Sequence, residues 1–202
     1  MDEVFAANRA ELCGTVTAAP VFSHESRGLR FFTFPLETLR LSGTPDTLNV
    51  VLREDYMRGM ALDPGRRVRV AGELRSFNNK SGVGSRLVLT VYTRELTDAD
   101  VEPDDNHISL TGAICKTPCC RVTPMGREIC DIILAVPRRY RRSDYIPVIA
   151  WGAQSRALAD APVGTKISVR GRLQSRAYTK VIDGRSEQRR AFEVSAADVF
   201  AV

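Results

Sequence analysis

The chain has 202 residues, a formal net charge of +5 and a hydrophobic content of 44%. This length allows one large domain or two domains of about 100 residues each, and the composition is ordinary for a globular protein with a packed core. The sequence has no apolar run near the roughly 18 residues that a membrane span needs, and its acidic start lacks the apolar segment of a signal peptide. We therefore expect a cytoplasmic protein.

The positive charge is concentrated in the second half of the chain. Residues 1–105 hold 13 Lys and Arg against 16 Asp and Glu, a net charge of −3, whereas residues 106–202 hold 16 against 8, a net charge of +8. Arginine supplies 13 of those 16 cations, and its flat guanidinium suits phosphate pairing and stacking better than lysine does. The distribution favours a nucleic-acid surface in the second half, although a solvated basic surface would have the same charge.

The cysteines predict neither a disulfide framework nor a metal site. Their number, five, is odd, and four of them lie in one short segment (Cys115, Cys119, Cys120 and Cys130). The sequence has no CxxC pair of the kind that zinc sites use, and His107 is the only histidine nearby. We expect small, partly buried thiols in a reducing compartment, with no metal and no cofactor.

The first half of the chain resembles the second with a period of 98 residues. NRAELCGTV (8–16) corresponds to NHISLTGAI (106–114), which aligns Gly14 with Gly112. Farther along, DTLNVVL (46–52) corresponds to DYIPVIA (144–150), and RRVRVAGELRS (66–76) corresponds to TKISVRGRLQS (165–175) after a one-residue shift. Anchors that recur in the same order predict two copies of one structural module.

Apolar residues alternate with polar ones in several segments of each copy, the pattern of half-buried strands. In the first copy these segments are AELCGTV, FTFPLETL, VRVAGELRS and RLVLTVY, and DTLNVVL corresponds through the repeat to a strand of the second copy. In the second copy they are HISLTGAI, EICDIILAV, YIPVIAW, ISVRGRL and AFEVSAADV. A helical pattern follows the third strand of each copy, at 54–62 and 153–161, and ends near Pro and Gly. This predicts an all-β fold of two tandem five-stranded OB-type barrels, each with one short helix.

An acidic, proline-containing stretch separates the two copies. Like-charged stretches of this kind are typical of linkers. The predicted organisation is an N-terminal OB-like domain at 1–101, an acidic linker at 102–105 and a C-terminal OB domain at 106–202.

The sequence contains no catalytic pattern. Its two histidines, His24 and His107, do not lie in a nucleophile–base context, and no P-loop, GxSxG or HExxH motif is present. We expect a protein that is not an enzyme.

The second copy instead interleaves aromatic residues with arginines. LAVPRRYRR (134–142) sets four arginines around Tyr140, and GRLQSRAYTK (171–180) places two arginines before Tyr178. Tyr145 and Trp151 lie six residues apart in one predicted strand, so they share a face. Rings that stack on bases and cations that pair with the backbone are what single-stranded nucleic acid requires. Core packing is the competing interpretation, but Trp151 corresponds to Arg53 in the first copy, a residue typical of a surface.

NHISLTGAICKTPCCRVTPMG, LAVPRRY, DYIPVIAWG and GRLQSRAY together resemble the bacterial single-stranded DNA-binding protein family. The resemblance covers about 97 residues strongly and the first half weakly. It implies base stacking by Tyr140, Tyr145, Trp151 and Tyr178. It also implies phosphate contacts from seven arginines: Arg121, Arg138, Arg139, Arg141, Arg142, Arg172 and Arg176.

The resemblance further implies a nucleoid-associated protein that serves replication, recombination or repair. Family members bring four OB modules together, so two modules per chain imply a homodimer. The first copy has Ser42, Thr47, Arg53 and Asn79 at the stacking positions, and we expect it to be a degenerate, structural module. The chain also ends at SAADVFAV without the family's acidic tail, so recruitment of replication or repair proteins by that route is not expected.

Two other functions remain open at this stage. The related primosomal replication protein has the same fold, and a protein of that type would be an interaction module with secondary DNA binding. An RNA-binding OB protein is the second alternative, because stacking and phosphate pairing do not distinguish the 2′-hydroxyl.

Overall fold

A computed structural model describes residues 7–79, 85–182 and 185–202, with side chains described outside 182–185. These residues form two compact units. The N-terminal unit comprises Ala10–Arg75 and Leu89–His107; the C-terminal unit comprises 108–202 together with 7–9, 76–79 and 85–88 as far as they are described. The end of one hairpin, residues 76–79 and 85–88, therefore belongs to the C-terminal unit. No pattern in the sequence indicated this. The first six residues, on which the expectation about a signal peptide depends, lie outside the described residues.

The N-terminal unit is built on six strands within the described residues. In space they run β2-β3-β4-β6-β5-β1, and β1 pairs again with β3, at Val16 opposite Leu36, so that the sheet closes. A 3₁₀ turn at Glu54–Arg58 follows the fourth strand. The strands are β1 (Asn8–Val16), β2 (Val21–Ser26), β3 (Leu29–Leu39), β4 (Pro45–Arg53), β5 (Arg67–Asn78) and β6 (Leu87–Asp98).

The C-terminal unit repeats this order within the described residues. Its strands run β8-β9-β10-β12-β11-β7, and β7 closes on β9 at Ile114 opposite Leu134. Helix α1 (Ala153–Leu158) follows β10, and a 3₁₀ turn at Arg139–Arg141 joins β9 to β10. The strands are β7 (Asp105–Ile114), β8 (Cys119–Val122), β9 (Glu128–Arg138), β10 (Arg142–Trp151), β11 (Lys166–Ile182) and β12 (Arg185–Ala201). The all-β prediction of two OB-type barrels is confirmed.

The elements differ from the prediction in several details, among them the length of β11 and β12, which have 17 residues each and extend beyond the predicted segments ISVRGRL and AFEVSAADV. All five predicted strands of each copy are present, but β2 and β8 were not predicted, because every residue in them is exposed and no alternation marks them. Both helical segments are shorter than predicted: the first is a 3₁₀ turn that ends before Gly59, and the second ends at Leu158.

The matching glycines of the repeat lie where the barrels close. A Cβ on Gly112 would overlap the carbonyl oxygen of Ala135 on β9, and a Cβ on Gly14 would overlap that of Glu37 on β3. Only glycine allows such a close approach of one strand to another. The repeated glycine is thus explained by one closure geometry used twice.

Inward-facing aliphatic side chains fill the barrel of the C-terminal unit. They come from alternate positions of its strands, as the sequence pattern predicted. Among them are Leu110, Ile114, Leu134, Ile146, Val148, Leu173 and Val194. Within the part of the chain that the structure describes, no helix has the length and apolarity to cross a membrane.

The expectation that all five cysteines are free thiols is wrong for two of them. Cys120 on β8 and Cys130 on β9 form a disulfide, with their Cα atoms 4.0 Å apart. They lie directly opposite each other in the β8–β9 ladder. Because β8 was not predicted, this pairing was not visible in the sequence. Cys13, Cys115 and Cys119 remain free.

Candidate nucleic-acid interface

One face of β10 carries two of the predicted stacking residues. Tyr145 is 53% exposed, whereas its neighbours Asp144 and Ile146 on the opposite face are fully buried. Trp151 lies six residues farther along the strand, on the same face as Tyr145. A strand rises about 3.3 Å per residue, so the Cα atoms of these two residues are about 20 Å apart along β10.

The register of the sheet places β11 residues on the same face. Ile149 of β10 pairs with Ser195 of β12, and Ser195 pairs with Arg172 of β11. Residues that are opposite each other in a ladder share a face, as do alternate residues along a strand. The β11–β12 ladder is regular beyond Gly171, so Arg176 and Tyr178 continue the face of Arg172.

Trp151 is partly exposed and held in place from the neighbouring strand. Its indole Nε1 donates a hydrogen bond to the hydroxyl of Ser195 at 3.1 Å, and the residue is 36% exposed. This hydrogen bond from its polar edge fixes the orientation of the indole. Neither Trp151 nor Tyr145 is buried in the core, so the core-packing interpretation does not apply to them.

Tyr140 lies at the tip of the hairpin between β9 and β10. It is 82% exposed, and its backbone is left-handed, with φ 61°. The next residue, Arg141, also has a positive φ of 54°. Left-handed backbone is uncommon for residues other than glycine, and such strain tends to cluster at functional sites. Arg138 and Arg142 pair across the base of this turn, so the tip presents the ring among arginines.

The predicted phosphate-binding arginines differ in their surroundings. Arg121 forms an ion pair with Asp131, and Arg138 lies 3.4 Å from the buried carboxylate of Asp144. The guanidinium carbon of Arg176 lies 5.9 Å from the centre of the Tyr178 ring. The remaining four lie on the hairpin tip, at the first residue of β10 and on β11: Arg139 and Arg141, Arg142, and Arg172, respectively.

The face also carries acidic groups that the sequence interpretation did not consider. Asp131 and Glu193 line a groove of about 200 Å³ together with Ile133 and Pro147. Arg121 neutralises Asp131. A phosphate backbone would therefore be favoured along the arginine-bearing parts of the face rather than in this groove.

Two further residues were missed by sequence reasoning. Arg189 on β12 lies directly opposite Tyr178 and forms an ion pair with Glu187 at 2.7 Å. Phe77, half exposed, belongs to the hairpin end that groups with the C-terminal unit. The run QRR at 188–190 was a charge signal for Arg189, whereas no sequence signal indicated where Phe77 would lie.

The corresponding positions of the first copy lack this arrangement. Ser42 is exposed, Thr47 is half-buried, and Arg53 pairs with Asp55 at 2.6 Å. Asn79, the fourth position, is half-buried at the hairpin end. None of these four side chains contains an aromatic ring.

Aromatic residues of the N-terminal unit lie elsewhere, on the β2–β3 hairpin. Phe22 and Phe32 are opposite each other in the ladder, and the Arg30 guanidinium carbon lies 5.5 Å and 5.3 Å from their ring centres. Arg30 also pairs with Glu54 at 2.6 Å. These rings already have a cation over them.

The acidic stretch at 102–105 is bound to the N-terminal unit by ion pairs. Asp104 lies 2.7 Å from the Arg67 guanidinium and also accepts a hydrogen bond from the backbone N–H of Leu39 at 2.7 Å. Glu102 accepts from Arg69. The hydrogen bond with Asp104 raises the pKa of Arg67, and that with Glu102 raises the pKa of Arg69. These carboxylates therefore neutralise arginines of their own unit.

Fold and face together define a class: a tandem OB-type protein in which one barrel presents exposed rings among arginines. Among the described residues, no group of three His, Cys, Asp or Glu side chains is placed to hold a metal ion. The model of the single-strand binding protein family matches residues 105–201. The chain belongs to this family.

Individual relatives are similar to parts of the chain. It is 35% identical over 80 residues to a single-stranded DNA-binding protein of Clostridium tetani, a match that covers 36% of this chain and 55% of that protein. It is 31% identical over 74 residues to the replication restart protein PriB of Yersinia enterocolitica, which covers 33% of this chain and 70% of that protein. This chain thus spans little more than half the length of its Clostridium relative.

A solved structure matches nearly the whole chain. The wild-type single-stranded DNA binding protein from Thermus aquaticus has a TM-score of 0.75, covering 96% of this chain and 92% of that chain, at 23% identity. At this identity the likeness shows a shared fold.

Proposed function

We propose that this protein binds and protects single-stranded DNA, independently of sequence, in replication, recombination or repair. The observation that carries the proposal is one sheet face in the C-terminal unit. Tyr145, Trp151 and Tyr178 share it with Arg172 and Arg176. The names of the Clostridium and Thermus relatives add support, because both state single-stranded DNA binding.

Stacking and phosphate pairing would act together on this face. Stacking of a base on an aromatic side chain contributes about 1–3 kcal/mol and tolerates any base, since every base has a flat π-surface. Guanidinium groups would add contacts to phosphates, which position the strand without reading its sequence. Tyr140, on its strained hairpin tip, would take a further base beside Arg139, Arg141 and Arg142.

We propose a structural role for the N-terminal unit. The first copy has small or polar residues at the stacking positions, and the acidic stretch of the N-terminal unit neutralises Arg67 and Arg69. Two chains would then give a homodimer with four barrels, of which two bind DNA strongly. Such a dimer would occlude a shorter length of DNA than four equivalent barrels.

The proposed activity is binding, with no catalytic step and no cofactor. A protein with this role would work in the cytoplasm, at the nucleoid. Partner proteins of replication or repair are a further part of the proposal that follows from the family.

A second candidate function rests on the similarity to PriB, which the chain matches over 70% of that protein's length. In that case the protein would act mainly through protein contacts, and DNA binding would be secondary. Weak binding to poly(dT) even at low salt would favour this candidate.

The deciding experiment is a titration of the full chain with fluorescent oligo(dT) over a range of salt, with the mass of the protein and complex measured in solution. We expect tight binding that weakens with salt and a mass of two chains. An equal-length oligo(U) competitor tests RNA binding. Binding that is undetectable at low salt would overturn the proposed function.

A further inference from the structure

We propose that the hairpin end, defined as residues 76–79 and 85–88, forms part of the DNA site of the C-terminal unit and contributes Phe77 as a stacking residue. The hairpin end contains the last residues of β5 and the first residues of β6. Both strands come from the first repeat, yet the hairpin end belongs to the C-terminal unit. This inference rests on the proposed function.

The hairpin end is attached to β10 next to Tyr145. The backbone N–H of Ser76 donates to a carboxylate oxygen of Asp144 at 2.8 Å, and the Ser76 hydroxyl accepts from the backbone N–H of Tyr145 at 2.8 Å. In the β10–β12 ladder the paired residues are Val148 and Ile149, beyond this point. Ser76 thus forms a hydrogen bond with the backbone of β10 at Tyr145, before the strand reaches the residues that pair with β12.

Asp144 makes this attachment specific. Its side chain is fully buried, and a buried carboxylate is tolerated only when donors surround it. The Ser76 N–H and the Arg138 guanidinium at 3.4 Å are two such donors. The hairpin end therefore supplies a hydrogen-bond donor to the buried carboxyl group of a residue that directly precedes a proposed stacking ring.

A second attachment fixes the other side of the hairpin end. The hydroxyl of Ser85 donates to the backbone carbonyl of Arg190 on β12, and the backbone N–H of Asn79 donates to the carbonyl of Arg86 at 2.7 Å. Arg190 follows Arg189, which lies opposite Tyr178. The hairpin end thus contacts β10 beside Tyr145 and β12 beside the Tyr178–Arg189 pair.

Phe77 follows Ser76 directly and is 50% exposed. Consecutive Cα atoms are 3.8 Å apart, so the Cα of Phe77 lies within about 10 Å of the Cα of Tyr145. An exposed ring at that distance from Tyr145 and among arginine-bearing strands has the chemistry of a base platform. Phe77 would extend the row of rings by one base.

The test uses two full-length variants whose replaced rings are almost equally exposed. Phe77→Ala removes the proposed ring, and Phe22→Ala removes one that is 53% exposed in the N-terminal unit. Oligo(dT) affinity should fall about 5- to 150-fold for Phe77→Ala, the loss of one stacked base, and stay within twofold for Phe22→Ala. If wild-type protein binds and Phe77→Ala binds equally well, or if both variants lose affinity alike, the inference is overturned. A wild type that does not bind overturns the proposed function instead.

A spectroscopic variant keeps the inference testable if Phe77→Ala fails to fold. In a Trp151→Phe background, Phe77→Trp places the only tryptophan at the proposed platform, and Phe22→Trp serves as the control. Saturating oligo(dT) should quench the emission of the first variant and leave the second unchanged. Unchanged emission at position 77 with DNA bound would overturn the inference.

Discussion

The indole of Trp151 is fixed to the neighbouring strand by its hydrogen bond to the hydroxyl of Ser195, 3.1 Å from Nε1 to Oγ. This bond holds the polar edge of the ring against β12 while 36% of the residue stays exposed. Because Trp151 is the only tryptophan of the chain, its emission reports on this one place in the proposed interface.

Unlabelled oligo(dT) should quench the emission of Trp151. A base stacked on the indole offers a path for quenching, and 36% of the residue is exposed. Fluorescence titration measures this directly, with binding confirmed independently by anisotropy of a labelled strand. The variant Trp151→Phe should show no tryptophan signal and should retain most of the affinity, since phenylalanine also stacks. Bound DNA with unaltered Trp151 emission would mean that the ring lies outside the interface.

Replacing Tyr140 tests the hairpin tip separately from the sheet face. Tyr140→Ala should weaken oligo(dT) binding by about 1–3 kcal/mol, because one stacking ring is lost. Ser42→Ala, an exposed position that corresponds to it in the first copy, should change affinity by less than about 0.5 kcal/mol, as surface substitutions usually do.

A second substitution at Tyr140 separates loss of the ring from a change in backbone. Glycine adopts the left-handed φ of 61° without strain, so Tyr140→Gly should keep or raise the free energy of unfolding. It should still lose affinity as Tyr140→Ala does. If Tyr140→Gly binds like wild type, the ring does not stack on DNA.

The fold was predictable because strand alternation is a local property. HISLTGAI and YIPVIAW have buried side chains at every second position, and the barrel positions confirm that pattern in β7 and β10. Strand β8 has the opposite character: its four residues are all exposed, so no period distinguishes it from a loop. The disulfide of Cys120 and Cys130 was missed because this strand was not predicted and because the odd number of cysteines argued against a disulfide framework.

The proposed interface was predictable only in part, because alternation shows which side chains of a strand share a face but not which face is exposed to solvent. Tyr145 and Trp151 lie on one face, as the sequence predicted. The first-copy counterpart of Trp151 is Arg53, and this indicated that Trp151 would be exposed. The attachment of Ser76 to Asp144 joins residues 68 positions apart. No local pattern encodes such a contact, so Phe77 could not be placed from the sequence.

The salt dependence of binding should change when a proposed phosphate contact is removed. For single strands, the slope of log K against log salt is about −0.7 for each phosphate neutralised. Arg142→Gln at the base of the hairpin should make the slope shallower by about 0.7. Arg58→Gln, an exposed arginine of the N-terminal unit, should leave it unchanged. Equal effects of the two variants, or a complex insensitive to salt, would contradict the assignment of DNA contact to arginines of the C-terminal unit.

Thiol counting distinguishes the disulfide from the five free cysteines that the sequence led us to expect. Denatured, unreduced protein should show three reactive thiols, and reduced protein should show five. In the native state, Cys119 is exposed and should be alkylated first. Cys13 is buried, and burial raises its pKa, so less thiolate is present near pH 8 and its alkylation should be slower than that of an ordinary thiol. Five thiols before reduction would show that Cys120 and Cys130 are not bonded.

The same bond should contribute to stability. It closes a loop with a sequence separation of 10 residues, and constraint of a loop of that size in the unfolded chain is worth about 2–3 kcal/mol. Reduction should lower the free energy of unfolding, measured with denaturant, by about that amount. The doubly substituted variant Cys120→Ala and Cys130→Ala should be insensitive to reductant.

In the first copy the corresponding ladder positions hold Phe22 and Phe32, whose rings pack edge to face with centres 5.9 Å apart. Both repeats thus bridge the same two strands, one by a ring contact and one by a covalent bond, so reduction should affect the C-terminal barrel alone.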